Sequence, residues 1–322
     1  MTTDGGPQSG FSGFSGFSGF SGFSGFSGFS GFSGFSGFRG FSGFGGESPT
    51  AAEALITNRD GIAGVPLPSP FPVADPAQED PRNLSQLSTD VRASIFAFEL
   101  ASPIGFTTTA GAAGASDTAH VWQAETTAGP GAPSATYHPL VSMSAPSISQ
   151  FQEQLSYLFS YADLRPDRGA EILSQVGSSV AFLSTINFLD YARTPSTLEL
   201  LSTALGLALF VEMRAKYALA CKRPILFSPQ VQPMIPTPTH GTLPSGHATE
   251  AFLLSRLLWK VLRASGNATY TANNGAFGEM LMRQASRIAI NRTVAGVHFP
   301  VDSVAGATLG LTLADYIVDR AT

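Results

Sequence analysis

Apolar residues recur every three or four positions through the second half of the chain, which is the pattern of amphipathic helices. This spacing predicts helices from Ser147 to Tyr161 and from Gly169 to Tyr191. A further helix is predicted from Pro195 to Cys221, because Pro195 suits a first turn and Pro224 prevents continuation. The remaining predicted helices are His247–Ser265, Gly275–Ala295 and Pro300–Arg320. Long helices without a clear strand predict an all-α bundle.

Fewer elements are predicted before residue 147. Asp80 and Pro81 suit an N-cap and a first helical position, and they predict a helix that runs to about Ala101. The segment from Gly105 to Pro139 is rich in Thr, Ala and Gly, so it is predicted to be a long loop. Residues 47–81, rich in Pro, Ala and Asp, are predicted to form an irregular connector.

A nearly perfect Ser-Gly-Phe repeat fills residues 9–46, with Phe at every third position from Phe11 to Phe44. Glycine and serine make the backbone too entropic to fold, so residues 1–46 are predicted to be disordered. Evenly spaced aromatic rings on such a tether are typical of segments that self-associate through weak contacts. A passive repeat expansion would give the same pattern.

Composition excludes several classes of partner. The net charge of -5 and a pI near 5.5 argue against a nucleic-acid surface, which needs clustered Lys and Arg. The one cysteine, Cys221, excludes an intramolecular disulfide and fits a reducing compartment. Neither a signal peptide nor an uninterrupted run of about 20 apolar residues is recognised. We therefore expect a cytoplasmic protein with no membrane span.

Lys216 and Arg223 lie seven residues apart, about two helical turns, so both side chains would project from one face of the predicted helix. Two cations on one face either bind an anion or form a solvated basic surface.

A second cluster, Ser245-Gly246-His247, precedes an apolar helix and so would lie at its N-terminus. Unpaired N–H groups and the positive end of the helix dipole favour an anion there, and Gly246 allows its close approach. Ser245 adds a hydroxyl group, and His247 adds a group able to donate a proton near neutral pH.

The third cluster contains Arg292, His298 and Asp302. Gly296 is predicted to end one helix and Pro300 to begin the next, which places His298 at the junction. Asp302 comes back over His298 by one helical turn, where a carboxylate would fix the imidazole tautomer.

Taken in order, these three clusters resemble the signature of the superfamily that contains the type 2 phosphatidic acid phosphatases (PAP2) and the vanadium haloperoxidases. Asn291 departs from it, because that family usually has serine before its second arginine. The resemblance implies a helical catalytic domain over residues 82–322, with an oxyanion site within 216–302. It implies that Lys216, Arg223, Ser245, Gly246, His247 and Arg292 surround the oxyanion. It also implies that His298 attacks phosphorus or coordinates vanadium, with Asp302 orienting it.

Two chemistries share this signature, because vanadate has the charge and shape of phosphate. The sequence around His247 and the predicted absence of membrane spans favour a haloperoxidase, in which vanadate bound by His298 would serve oxidation of bromide or iodide by hydrogen peroxide. In bromoperoxidase-type relatives a histidine stands in the place of His240, which makes it a candidate halide-site residue. A small organic molecule could accept the oxidised halogen.

The alternative is a PAP2-type acid phosphatase, which would act through a phosphohistidine on His298 and would need no vanadate. A third hypothesis is a non-enzymatic scaffold organised by the Phe-rich repeat. A homo-oligomer is expected by analogy with the relatives.

Overall fold

The computed structural model describes residues 80, 82–111, 117–127, 131, 134–177, 179–271 and 275–321. The predicted disorder of residues 1–46, the self-association of the repeat and all of the connector 47–81 except Asp80 lie outside these residues. The described residues divide into two compact units between Ser94 and Ile95. The first unit holds a 3-10 helix, Leu84–Gln86, which is capped by the Asn83 side chain, and the start of the first α-helix.

Most described residues are helical. The α-helices are α1 (Thr89–Ala101), α2 (Ile148–Ala162), α3 (Arg165–Gln175), α4 (Val180–Leu183), α5 (Pro195–Leu219), α6 (Gly246–Ala264), α7 (Ala268–Thr271), α8 (Ala276–Val294) and α9 (Pro300–Ala321). The bounds of α2, α5, α6, α8 and α9 agree with the predicted helices. The helix predicted from Gly169 to Tyr191 is wrong beyond α3, which ends before Gly177, a poor helix former. The helix expected to start near Asp80 begins instead at Thr89.

The prediction of a long loop between Gly105 and Pro139 is wrong, and the fold is not entirely α-helical. Three strands, β1 (Ile104–Thr109), β2 (Thr118–Thr127) and β3 (Ser134–Ser144), form an antiparallel sheet in the order β1-β2-β3. Ala119 and Val121 of the central strand are fully buried and alternate with less buried residues. Thr-rich and Ala-rich segments carry little local strand signal, and the pairing across strands supplies what the sequence pattern does not show.

The functional half of the chain is built around α6. Its leucines at 253, 254, 257 and 258 are buried, and α6 packs most extensively against α9 and α8. Two glycines on α9 allow this approach. A Cβ added at Gly306 would lie 2.5 Å from the Ser245 carbonyl oxygen, and one added at Gly310 would overlap the carbonyl oxygen of Thr249. The backbone of α9 therefore lies directly against the first turns of α6.

The prediction that no segment could cross a membrane is wrong. The segments Pro195–Leu226 and Pro300–Ala321 contain helices long and apolar enough to do so by length and composition, with mean hydropathies of 1.4 and 1.3. The sequence expectation looked for uninterrupted apolar runs, whereas a span tolerates a few charged residues. In each segment, 44% of the most apolar 18-residue stretch is buried inside the fold. The expectation of a cytoplasmic protein, which rested on the absence of a recognised signal peptide and on the single cysteine, is contradicted by these two helices.

Replacing Gly310 with alanine tests the contact between α6 and α9. The new methyl group would collide with the backbone of α6, so we expect Gly310→Ala to lower the free energy of unfolding by about 1–3 kcal/mol. Gly169 is the matched control, because a Cβ there would lie 3.5 Å from Met234 Cε, an ordinary contact. Gly169→Ala should be neutral or stabilising by up to about 1 kcal/mol. Urea denaturation measures both changes, and equal stability of the two variants would contradict this packing.

Candidate functional site

The three clusters predicted from the sequence meet where helices begin and end. Lys216 lies in the last turn of α5 and Arg223 follows that helix, while Ser245 caps α6. Arg292 lies in the last turn of α8, and Gly296, two residues after that helix, has the positive φ of 78° that glycine readily adopts. Asp302 lies in the first turn of α9. Buried members of the site are Lys216 (1% exposed), Arg223 (3%), Ser245 (0%), Arg292 (1%), His298 (5%) and Asp302 (0%).

His298 is held from one side by acceptors. Its Nδ1 lies 3.1 Å from Asp302 Oδ2 and 3.2 Å from the Thr242 hydroxyl oxygen. The same carboxylate oxygen accepts hydrogen bonds from the Thr242 hydroxyl and, at 2.8 Å, from the Phe299 N–H. An acceptor at Nδ1 favours the tautomer with the proton on that nitrogen, which leaves the lone pair on Nε2. Thr242 is a site residue that sequence reasoning missed.

Arg223 occupies the other side of His298. Its Nη1 donates to His298 Nε2 at 3.0 Å and to the Val297 carbonyl at 2.9 Å. Its Nε and Nη2 donate to the backbone oxygen and the Nδ1 of His240, both at 3.1 Å. Burial lowers the pKa of His298 well below its ordinary value, and the charge of Arg223 lowers it further. His298 is therefore neutral, with Nε2 as a hydrogen-bond acceptor.

The turn before α6 is fixed by backbone contacts. The N–H of Ser245 donates to the Asp302 carbonyl oxygen at 2.9 Å, and the Lys216 ammonium donates to the Pro244 carbonyl oxygen. These two contacts join α5 and α9 to the Ser245-Gly246-His247 turn. The hydroxyl of Ser245 itself is buried and makes no hydrogen bond to any described residue.

Only one of the three nitrogen atoms of the Arg292 guanidinium group donates hydrogen bonds to described residues. Its Nη2 donates to Gln175 Oε1 at 2.8 Å and to the Ile172 carbonyl at 3.3 Å, whereas its Nε and Nη1 are buried without a partner among the described residues. A buried donor without a partner costs free energy. Together with the Ser245 hydroxyl, these atoms are donors that a bound tetrahedral oxyanion would satisfy. Phosphate and vanadate both fit such a donor set.

Asn291, which departs from the family pattern, belongs to a network behind Arg292. Its Nδ2 donates to Glu171 Oε1 at 2.8 Å and to Gln175 Oε1 at 3.0 Å, and its Oδ1 accepts from Arg168 at 3.1 Å. The amide thereby helps to place the Gln175 oxygen that holds Arg292. Gln175 is a site residue that had no signal in the sequence.

The side chain of His247 contacts the backbone of Gln175. The imidazole Nε2 lies 3.1 Å from the Gln175 carbonyl oxygen, which favours a proton on Nε2. Burial and, next, the charge of Arg292 lower the pKa of His247 to about 3. Burial and the nearby Lys216 likewise lower the pKa of His240 to about 4. All three site histidines are thus neutral before any anion enters.

Two carboxyl groups that sequence reasoning missed lie beside the candidate oxyanion cage, by which we mean Lys216, Arg223, Ser245, Gly246, His247, Arg292 and His298. Glu212 is one helical turn before Lys216 on α5, and Glu250 is three residues after His247 on α6. Burial raises the pKa of Glu212 to about 7, although Lys216 and Arg223 act in the opposite direction. Burial and the charge of Glu212 raise the pKa of Glu250 to about 8. The signal available in the sequence was an acidic residue within a mostly apolar stretch of each helix.

The other two histidines belong to the sheet. His120 and His138 lie on β2 and β3, where they contact neighbouring sheet residues such as Ser142 and Glu125. Cys221 is buried, and this burial raises the pKa of its thiol to about 12.

Comparison with known proteins supports a PAP2 superfamily domain. The family model of the PAP2 superfamily matches residues 197–319, which is less than half of the chain. This segment contains every site residue named from the sequence. No curated protein matches the chain.

One similar solved structure is titled as the first transmembrane PAP2-type phosphatidylglycerolphosphate phosphatase from Bacillus subtilis. It is 16% identical, with a TM-score of 0.44, over 54% of this chain and 87% of that chain. The vanadium haloperoxidase subtype expected from the sequence is not confirmed.

An oxyanion that satisfies the buried donors should stabilise the protein. We expect phosphate at about 100 times its dissociation constant to add about 2.7 kcal/mol to the free energy of unfolding, visible as a raised Tm. Arg292→Gln should abolish this effect, because it removes two of the unpartnered donors. Arg283→Gln is the control on the same helix, since Arg283 is exposed and pairs only with Glu279 among the described residues. A phosphate-dependent rise in the Tm of Arg292→Gln equal to that of the unaltered protein would contradict the assignment of the cage.

Proposed function

We propose that the protein is a PAP2-type phosphatase that hydrolyses phosphate monoesters through His298. The observation that carries the proposal is the set of buried, unpartnered donors on Ser245 and Arg292 beside a neutral imidazole. Electrostatic stabilisation by preorganised donors is the main contribution that proteins make to phosphoryl transfer. The PAP2 superfamily match to residues 197–319 supports the same reaction class.

In this mechanism the phosphoryl oxygens bind to Lys216, Arg223, Arg292, the Ser245 hydroxyl and the Gly246 N–H. The entering anion takes over the Arg223 hydrogen bond that His298 Nε2 accepts in the structure, which frees the lone pair. Nε2 then forms a bond to phosphorus while the ester P–O bond breaks, and Asp302 stabilises the positive charge that develops on the imidazole. His247 protonates the departing alkoxide and then removes a proton from the water that hydrolyses the phosphohistidine.

His247 needs a proton for the first of these roles. Its pKa is low in the free protein because it is buried near Arg292. A phosphate dianion beside the imidazole would oppose both effects, since a nearby negative charge favours the protonated ring. Substrate binding would in this way prepare the general acid.

The haloperoxidase is the second candidate, and one observation favours it. His240 is joined to the cage through Arg223, with its Nδ1 3.1 Å from Arg223 Nη2. Vanadate would be held by His298 and the same donors, and when bound it would supply a Lewis-acidic centre that activates hydrogen peroxide. This candidate now ranks below the phosphatase, because the predicted absence of membrane spans was one of its two supports. The comparisons give no support to hydrogen peroxide and halide as substrates.

Variants of the two cage histidines test the phosphatase mechanism. His298→Ala should abolish hydrolysis of p-nitrophenyl phosphate and formation of an acid-labile, radiolabelled phosphoprotein. His247→Ala should retain phosphate binding while turnover falls by about 10²–10⁴-fold, the usual contribution of a general acid and base. His138→Ala is the control, because that side chain lies on the exposed face of the sheet. Full activity of His298→Ala would show that the nucleophile is misassigned.

Vanadate separates the two candidates. We expect vanadate to inhibit phosphate ester hydrolysis competitively, because both anions need the same donors, and we expect no vanadate-dependent bromination of a phenol dye in the presence of peroxide. His240→Ala is tested in parallel. Strong bromination that requires vanadate and disappears in His240→Ala, without any phosphatase activity, would reverse the ranking.

A further inference from the structure

Glu212 is a buried carboxyl group inside the oxyanion site that the proposed mechanism does not use. The residue is 2% exposed, and its Oε2 makes no hydrogen bond to any described residue. A Cβ added to Gly246 would lie 2.9 Å from Glu212 Oε1, so the carboxyl group packs directly against the glycine of the anion-binding turn. A negative charge here would face the anion itself.

The cations near Glu212 direct their hydrogen bonds to other groups. Arg223 directs its donors to His240, Val297 and His298, and the Lys216 ammonium donates to the Pro244 carbonyl. Within the described residues no ion pair forms with Glu212. An ionised Glu212 would therefore remain buried without a hydrogen-bond donor, which is strongly unfavourable.

The remaining charges near Glu212 do not resolve this conflict. Glu250 on α6 adds a second acidic group near Glu212. Asp302 on α9 adds a third, and its charge raises the pKa of Lys216. The charge of Arg292 on α8 lowers the pKa of Glu250 and is not among the charges that act on Glu212. With an oxyanion in the cage, a further negative charge would be added to a set that already contains three carboxyl groups.

We propose that Glu212 must carry a proton when the site binds an oxyanion, so that it donates a hydrogen bond to the anion and makes binding proton-linked. The proposal rests on the oxyanion site of the proposed function and not on the reaction. A protonated carboxyl group has an O–H that can donate a hydrogen bond to the anion. Its neutrality also removes the repulsion between the carboxylate and the anion. Affinity should then be greatest below the pKa of Glu212, about 7, and should fall as the pH rises above it.

Sulfate is the probe that isolates this effect. It has the shape and charge of the phosphate dianion but does not itself titrate between mildly acidic and alkaline pH, whereas phosphate does. We expect the dissociation constant for sulfate, measured by calorimetry, to rise about tenfold per pH unit above pH 7, as binding coupled to uptake of one proton requires. Calorimetry at pH 8 in two buffers of different ionisation enthalpy should show that proton uptake directly.

Glu212→Gln keeps the shape and the donor but cannot ionise. Its sulfate affinity should lose the tenfold dependence that begins near pH 7 and should exceed that of the unaltered protein at pH 9. A dependence above about pH 8 remains, because burial lowers the pKa of Lys216 to about 8 and raises that of Glu250 to about 8. Glu250→Gln is the matched control, because it removes the neighbouring charge but leaves Glu212 in place. It should keep the tenfold dependence while shifting its onset to lower pH.

A pH dependence in Glu212→Gln equal to that of the unaltered protein would overturn the proposal. Should Glu212→Gln fail to fold, the two-buffer measurement is made on His247→Ala, in which the imidazole cannot take up the proton, and no proton uptake at pH 8 overturns the proposal. Hydrolysis of p-nitrophenyl phosphate is measured on the same samples. Proton-linked sulfate binding without hydrolysis would remove the proposed function and leave this inference, while hydrolysis with pH-independent sulfate binding would do the reverse.

Discussion

Burial of charged side chains in an apolar helical bundle is the constraint on which this structure depends. Lys216, Arg223, Arg292 and Asp302 are each nearly inaccessible to solvent, so each must find partners within the fold or wait for a ligand. The three cations share four carbonyl oxygens at helix ends and in connecting turns, those of Ile172, His240, Pro244 and Val297. The chain places its charges where helices begin and end because unpaired backbone groups are available there.

The contact between α6 and α9 gives the cage its geometry. Gly306 and Gly310 bring the backbones close, and the N–H of Ser245 reaches the carbonyl oxygen of Asp302 at 2.9 Å. The residue that orients His298 thus also anchors the turn that presents Ser245 and Gly246. A displacement of either helix would move the proposed nucleophile and the anion-binding turn together.

Burial acts in opposite directions on the two kinds of titratable group in the site. It lowers the pKa of His247 and His298, which become neutral, and it raises the pKa of Glu212 and Glu250, which hold protons near neutral pH. Both changes reduce the number of buried charges. The net effect is a cage whose uncompensated charge is positive, as binding of a tetrahedral anion requires.

The sequence by itself determined the long helices and the residues of the cage. Helical periodicity marked α5, α6, α8 and α9, and the resemblance of the motifs at the ends of those helices to a family signature singled out Lys216, Arg223, Ser245, His298 and Asp302. The antiparallel sheet, Thr242, Gln175 and Glu212 were decided by the tertiary structure. Their roles depend on contacts between residues far apart in the chain, such as Arg292 with Gln175 and Gly246 with Glu212, and local periodicity holds no information about such contacts.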